Sequence, residues 1–215
     1  MGWTPVVGWD PNCVLGPPPI VPGAISVNFN EDLQFKALWP HFPLEFAFLW
    51  SEKLAFWHAD LLVRMEKLEK IVSLFEDLKN NEMAAVLSIG GRRNLLNFRS
   101  HRYWELLGCI TKGASESQLQ LGCGWWRHFY KHPNCPPSEK EKRSKYYYDS
   151  GVGIMYWKRK YKGKVYNIKA KWIEEGHCSR IGNKNYKRGI SKSEEMNLNF
   201  DLQKIATKLG LEKFL

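Results

Sequence analysis

KYYYDSGVGIMYWKRKYKGKVYNIKAKWIEEGHCSRIG, from Lys145 to Gly182, alternates apolar and basic side chains on both sides of two tight-turn dipeptides, Lys162-Gly163 and Glu175-Gly176. A two-residue loop at 162–163 sets Tyr161 opposite Lys164, with 159 facing 166, 157 facing 168 and 155 facing 170. Alternate residues of a strand point to opposite sides, so this register sorts the ribbon into two faces. Met155, Trp157, Tyr161, Tyr166, Ile168 and Ala170 share the apolar one. Tyr156, Lys158, Lys160, Asn167, Lys169 and Lys171 share the other, and a third segment after Gly176 adds Arg180 to it. The stretch therefore predicts a three-stranded antiparallel sheet that seats a core on one side and meets an anion on the other.

The charge of the chain points the same way. Of the 32 Lys and Arg and 22 Asp and Glu, residues 1–100 hold 9 basic against 11 acidic, whereas residues 101–215 hold 23 against 11. Within 138–192 there are 16 basic and 5 acidic side chains, so the net +10 of the protein is concentrated on and around the ribbon. Such asymmetry suits a polyanionic partner, with a solvated surface as the plain alternative. Ten Trp, nine Tyr and eleven Phe in 215 residues supply flat contact area.

Outward from the ribbon, residues 1–30 hold six of the eleven prolines and no Lys or Arg, which predicts an extended arm. Its Trp3, Trp9 and Val6-Val7 would anchor it to its own core or to another subunit. Residues 31–110 are expected to be a helical portion. Leu54, Trp57, Leu61, Leu68, Ile71, Phe75 and Leu78 recur at steps of three and four and predict one long amphipathic helix over 54–78, interrupted at Arg64. A helix of that length could form a seam with a second copy or a partner. Residues 82–90, EMAAVLSIG, fit either a helix or a buried strand, and Tyr103 to Leu107 reads as a short helix closed by Gly108. Gly90-Gly91 with Arg92 and Arg93 offers a second place for a phosphate. Residues 111–192 form the basic, aromatic portion, with Ser115-Glu116-Ser117 as a loop, and residues 193–215 a closing helix near Phe200 to Leu209. The fold class expected is α+β, with a single core shared by 31–215.

Cys123, His128, His132 and Cys135 are four metal-competent side chains within thirteen residues, spaced C-x4-H-x3-H-x2-C, and are the candidate ligands for a zinc ion. The five cysteines are odd in number and irregularly spaced, which argues against a disulfide framework. No secretory signal or membrane-spanning run is present in the sequence, so the expected location is cytoplasmic or within a virion, without membrane insertion. None of the glycine-loop, nucleophile-elbow or zinc-protease patterns occurs. The expectation is binding without catalysis: nucleic acid held by Tyr156, Lys158, Lys160, Asn167, Lys169, Lys171, Arg180, Arg92 and Arg93. Two other classes remain beside it. One is a structural subunit of a viral or phage particle, using residues 1–30 and 54–78 for protein contacts. The other is a metal-dependent nuclease drawing on Asp149, Glu174, Glu175 and His132 near the ribbon.

Overall fold

A computed structural model describes residues 2–9, 18–28, 44, 51–58, 61–88, 102–125, 151–173, 176 and 202–214. The chain divides into two units, Met1–Phe42 and Pro43–Leu215. In the first, β1 (Val6–Trp9) pairs in parallel with β2 (Ile25–Asn28), Val6 beside Ile25 and Trp9 beside Asn28. The expected arm is extended at these positions, but it folds back and pairs with itself. A parallel pair needs a crossover of a dozen or so residues, which the proline-rich stretch between the two strands supplies.

The second unit is a mixed α+β fold. Its elements are β3 (Lys53–Trp57), α1 (Met65–Glu76), β4 (Glu82–Ser88), β5 (Arg102–Thr111), α2 (Lys112–Gln120), α3 (Val152–Lys160), β6 (Lys164–Lys169) and α4 (Leu202–Leu209), with short 3-10 turns at Ala170–Trp172 and Glu212–Phe214. Among the described residues the sheet has four strands, in the order β3-β5-β4-β6. β5 is antiparallel to both β3 and β4, while β6 runs parallel to β4. One sheet face, with Phe56, Met83, Ala85, Tyr103, Ile110 and Val165, packs with Ala114 of α2 and with Ile154, Met155 and Trp157 of α3. The opposite face carries Ala84, Val86, Cys109 and Ile168, all fully buried. Lys53, on that second face, donates to the carbonyls of Phe75 (3.1 Å) and Glu76 (2.6 Å), so a strand lysine closes the C-terminus of α1.

The expected three-stranded ribbon is not the architecture. Its first strand is helix α3, and β6 takes its partner from β4, with Glu82 beside Lys164 and Val86 beside Ile168. The stretch GIMYWKRKY satisfies two periods at once: Met155 and Trp157 alternate, but Ile154, Trp157, Lys158 and Tyr161 also stand at helical steps. Helix wins because the chain enters it through Gly151 at φ 77 and leaves it through Lys162 at φ 58, both left-handed. The turn at 162–163 is therefore real, but it ends a helix. Gly163 N–H bonds the Trp157 carbonyl, and a Cβ on Gly163 would lie 2.2 Å from the Trp157 ring, so the chain doubles back over the indole.

The helical reading of 31–110 is also corrected. Residues 53–57 form a strand, Arg64 is the extended residue that precedes α1, and α1 spans only 12 residues, about 18 Å, too short for the seam expected over 54–78. What interrupted the apolar repeat was the boundary of the element. Residues 82–88 resolve to the central strand β4, buried on both faces. Tyr103 to Gly108 lies inside the ten-residue strand β5. Gly108 ends nothing; a Cβ there would sit 2.5 Å from the Ala84 carbonyl oxygen and 2.4 Å from the Phe56 ring, so glycine is what lets β5 pass between its neighbours. Ser115 to Ser117 belong to α2 rather than a loop. The closing helix is found at Leu202–Leu209 and stops at Gly210, φ 70, as its composition predicts.

Candidate nucleic-acid interface

Basic side chains of residues 158–171 come from three consecutive pieces of chain: the last turn of α3, the turn at Lys162-Gly163, and β6 with the 3-10 turn that follows. Part of this charge serves the fold. Lys158, Arg159 and Lys160 stand at the negative end of α3, where cations are favoured. Among the described residues β6 is at the edge of the sheet, and lysines on an edge deter unwanted strand pairing.

The aromatic partners are what these structural roles leave over. Lys160 Nζ lies 5.5 Å from the Tyr156 ring centroid, Lys164 Nζ 5.2 Å from Tyr166, and Lys169 Nζ 5.6 Å from Trp172. All three are within cation–π range. Lys160, Lys162, Lys164, Lys169 and Lys171 are exposed, and Tyr156, Tyr161, Tyr166 and Trp172 are half-buried. Exposed lysines thus alternate with half-buried aromatic rings along residues 156–172, Lys164 and Tyr166 on the Ala84 side of the sheet and α3 on the Val165 side. The ribbon register places Tyr166 on the core face and draws on none of Lys162, Lys164 and Trp172 for binding. Their signal was present as the interleaving of lysine and aromatic residues, which does not depend on the ribbon register.

Lys158 and Asn167 belong elsewhere. The Lys158 ammonium donates to the Tyr103 hydroxyl at 2.8 Å, the Val165 carbonyl at 3.0 Å and Asn167 Oδ1 at 3.1 Å, which uses its three N–H groups. Tyr103 in turn donates to Asn167 Oδ1 at 2.7 Å. Burial, followed by the neighbouring Arg159 charge, lowers the Lys158 pKa, and burial raises that of the Tyr103 phenol. This network joins α3 to β5 and β6.

Lys164 has a partner as well. Glu82, only 6% exposed at the head of β4, accepts from Lys164 Nζ at 2.5 Å and from the Lys79 N–H at 3.0 Å. The bond to Lys164, then the Lys79 N–H, holds the Glu82 carboxyl below the usual 4.5, and the bond to Glu82 raises the Lys164 ammonium above its usual 10.5. A lowered carboxyl pKa contributes stability above pH 4.5 that is lost as pH falls through the folded-state value. A raised lysine pKa contributes stability below pH 10.5 that is lost as pH rises through its own folded-state value. Between these limits the pair contributes fully. Glu82→Gln is expected to flatten the acid limb of a plot of melting temperature against pH below about 4.5, the ordinary carboxyl value. An acid limb identical to the parent's would show that the pair carries none of it.

Of the proposed zinc ligands, Cys123 is buried, with Sγ 3.5 Å from the Leu121 carbonyl oxygen, while His128, His132 and Cys135 lie outside the described residues. So do Arg92, Arg93, Arg180, Asp149, Glu174 and Glu175. Among the described residues no group of three or more His, Cys, Asp or Glu is arranged to hold a metal ion, and no helix is long and apolar enough to cross a membrane. Burial pushes the Cys109 thiol up to about 12, so it stays protonated at neutral pH. Comparison with protein-family models, curated proteins and solved structures found no match for the chain.

Proposed function

We propose that the chain binds nucleic acid, and single strands in preference to duplex, through the lysine and aromatic side chains of residues 156–172. The observation that carries this reading is the set of three lysine–aromatic pairs, Lys160 with Tyr156, Lys164 with Tyr166 and Lys169 with Trp172, along one short stretch. Lysines alone would favour any polyanion. An aromatic ring beside each lysine adds energy only where a base is unstacked and free to meet it, which selects single strands. The test is a fluorescence-anisotropy titration of one oligonucleotide, single-stranded and as duplex, across a salt series. Tighter, salt-dependent binding of the single strand supports the proposal, and no binding at low salt ends it.

A second reading rests on the N-terminal unit, where Ile20 is 97% exposed, Val6 55%, Ile25 54% and Val21 46%. Four exposed aliphatic side chains around one short parallel pair suit a contact with another chain. This favours a structural subunit of a larger particle, viral or phage, with the basic surface toward the packaged genome. Deleting residues 2–28 is then expected to leave the melting temperature unchanged and to reduce the mass measured by light scattering. Loss of folding with no change in assembly would make the arm a strap for its own chain.

A further inference from the structure

The last turn of α3 is tied to one side of β6. Lys158 Nζ donates to the Val165 carbonyl at 3.0 Å and to Asn167 Oδ1 at 3.1 Å, and the Val165 side chain packs in one cluster with Met155 and Trp157 of α3. Tyr166 stands between these two residues, so alternation along the strand turns its ring to the other side, beside Ala84. The Lys164–Tyr166 pair is therefore on the opposite side of the sheet from α3, which carries Lys160–Tyr156. Lys169 alternates with Val165 and Asn167 and falls on the α3 side. The two sides meet at the turn of Lys162 and Gly163, where Lys162 is exposed and Gly163 lies against the Trp157 ring.

A strand confined to the α3 side cannot reach Tyr166. One that meets all three lysine–aromatic pairs has to pass round this turn, or over the edge that β6 forms among the described residues. Packed layers of a protein are on the order of 10 Å apart, so the change of direction falls within about three nucleotides at roughly 3.4 Å each. Duplex DNA, with a persistence length of about 50 nm, does not turn in that distance. A single strand does so by unstacking at the bend, at a cost set by its bases: pyrimidine runs stack weakly and stay flexible, whereas adenine runs stack into stiff segments. We propose that the chain selects flexible, pyrimidine-rich single strands, which bend around the α3–β6 turn so that Tyr156 and Tyr166 meet bases on opposite sides of the sheet. The inference rests on the nucleic-acid reading above and adds to it the sequence class of the strand.

The experiment titrates the full chain, at one salt concentration, with oligo(dT), with oligo(dA) of the same length, and with oligo(dA) interrupted at its centre by one abasic site. Oligo(dT) is expected to bind roughly tenfold more tightly than oligo(dA), the equivalent of about one base step held open. The abasic hinge is expected to restore most of that loss, which a preference for the thymine base itself would not do. Tyr166→Ala is expected to weaken oligo(dT) binding and to bring oligo(dT) and oligo(dA) within about twofold of each other, since the strand then has no reason to bend. Tyr166→Phe keeps the ring and is expected to keep the preference, and the hinge comparison on the parent protein needs no variant to fold. Equal affinity for oligo(dT) and oligo(dA), or tighter binding of oligo(dA), overturns the inference and leaves the proposed function standing, with the strand on one side of the sheet. A preference for oligo(dT) that the abasic site leaves unchanged also overturns it. No binding of any of the three overturns the inference together with the nucleic-acid reading.

Discussion

Replacing Lys160, Lys162, Lys169 and Lys171 together with alanine is expected to weaken binding of a single-stranded oligonucleotide by about 30-fold or more near 100 mM salt, and to reduce the slope of log affinity against log salt by nearly 3. Each phosphate neutralised on a single strand contributes about 0.7 to that slope through counterion release, so four lost contacts remove about 2.8. All four side chains are exposed, none belongs to a core cluster, and Lys158 and Lys164, which bond inside the fold, are left in place. The melting temperature is therefore expected to stay within a degree or two of the parent's. A variant that folds and binds as tightly as the parent at every salt concentration would reduce these lysines to edge protection and solvation. A second set, Tyr166→Ala with Trp172→Ala, separates stacking from charge: it should lower affinity for the single strand more than for the duplex and leave the salt slope unchanged.

How far the sequence could be read depends on which period a segment allowed. The closing helix was legible because Leu202, Ile205, Ala206 and Leu209 admit only a helical spacing and Gly210 stops it. The turn at Lys162-Gly163 was legible too, since glycine next to a residue able to adopt positive φ serves a hairpin and a helix end equally. That equivalence is why the element before the turn was misread. Nine residues with bulky side chains at 154, 155, 157 and 161 carry both patterns, and the choice fell to Gly151 and to the packing of Gly153, where a Cβ would lie 2.2 Å from the Gly124 oxygen. Such a contact joins positions far apart in the chain and has no local signature. β4 was ambiguous for another reason: a central strand covered on both faces shows an unbroken apolar run with no alternation to read. Exposure of a lysine does not depend on whether 152–160 is a strand or a helix, so Lys160, Lys169 and Lys171 are exposed in either case, whereas the bond between Lys158 and Asn167 depends on the helix and has no signature in the sequence.

Trp157→Ala is the counterpart on the buried side of the same segment, and it is expected to destabilise the protein by about 3 to 5 kcal/mol. The indole is 3% exposed and packs in the cluster that joins α2, α3 and the sheet. Gly163 lies directly against the ring, and the indole N–H donates to Ser117 Oγ at 3.2 Å, so alanine would empty a large volume and remove a tie between α3 and α2 together. The surroundings have little room to collapse into the space, because Gly163 offers no side chain and β6 is fixed by its ladder to β4. Against a total stability of about 5 to 15 kcal/mol for a domain this size, the loss is about a fifth or more, and the melting temperature should fall by roughly 6 to 20 °C. Trp157→Phe keeps most of the ring volume and should recover more than half of the difference. Well below its melting point the alanine variant should still bind the single strand with the parent's salt slope, since no exposed lysine is touched. A fall of less than about 2 °C would mean that the indole does not hold α3 to the sheet, and the packing that presents the basic surface would have to be sought in Met155 and Ile154 instead.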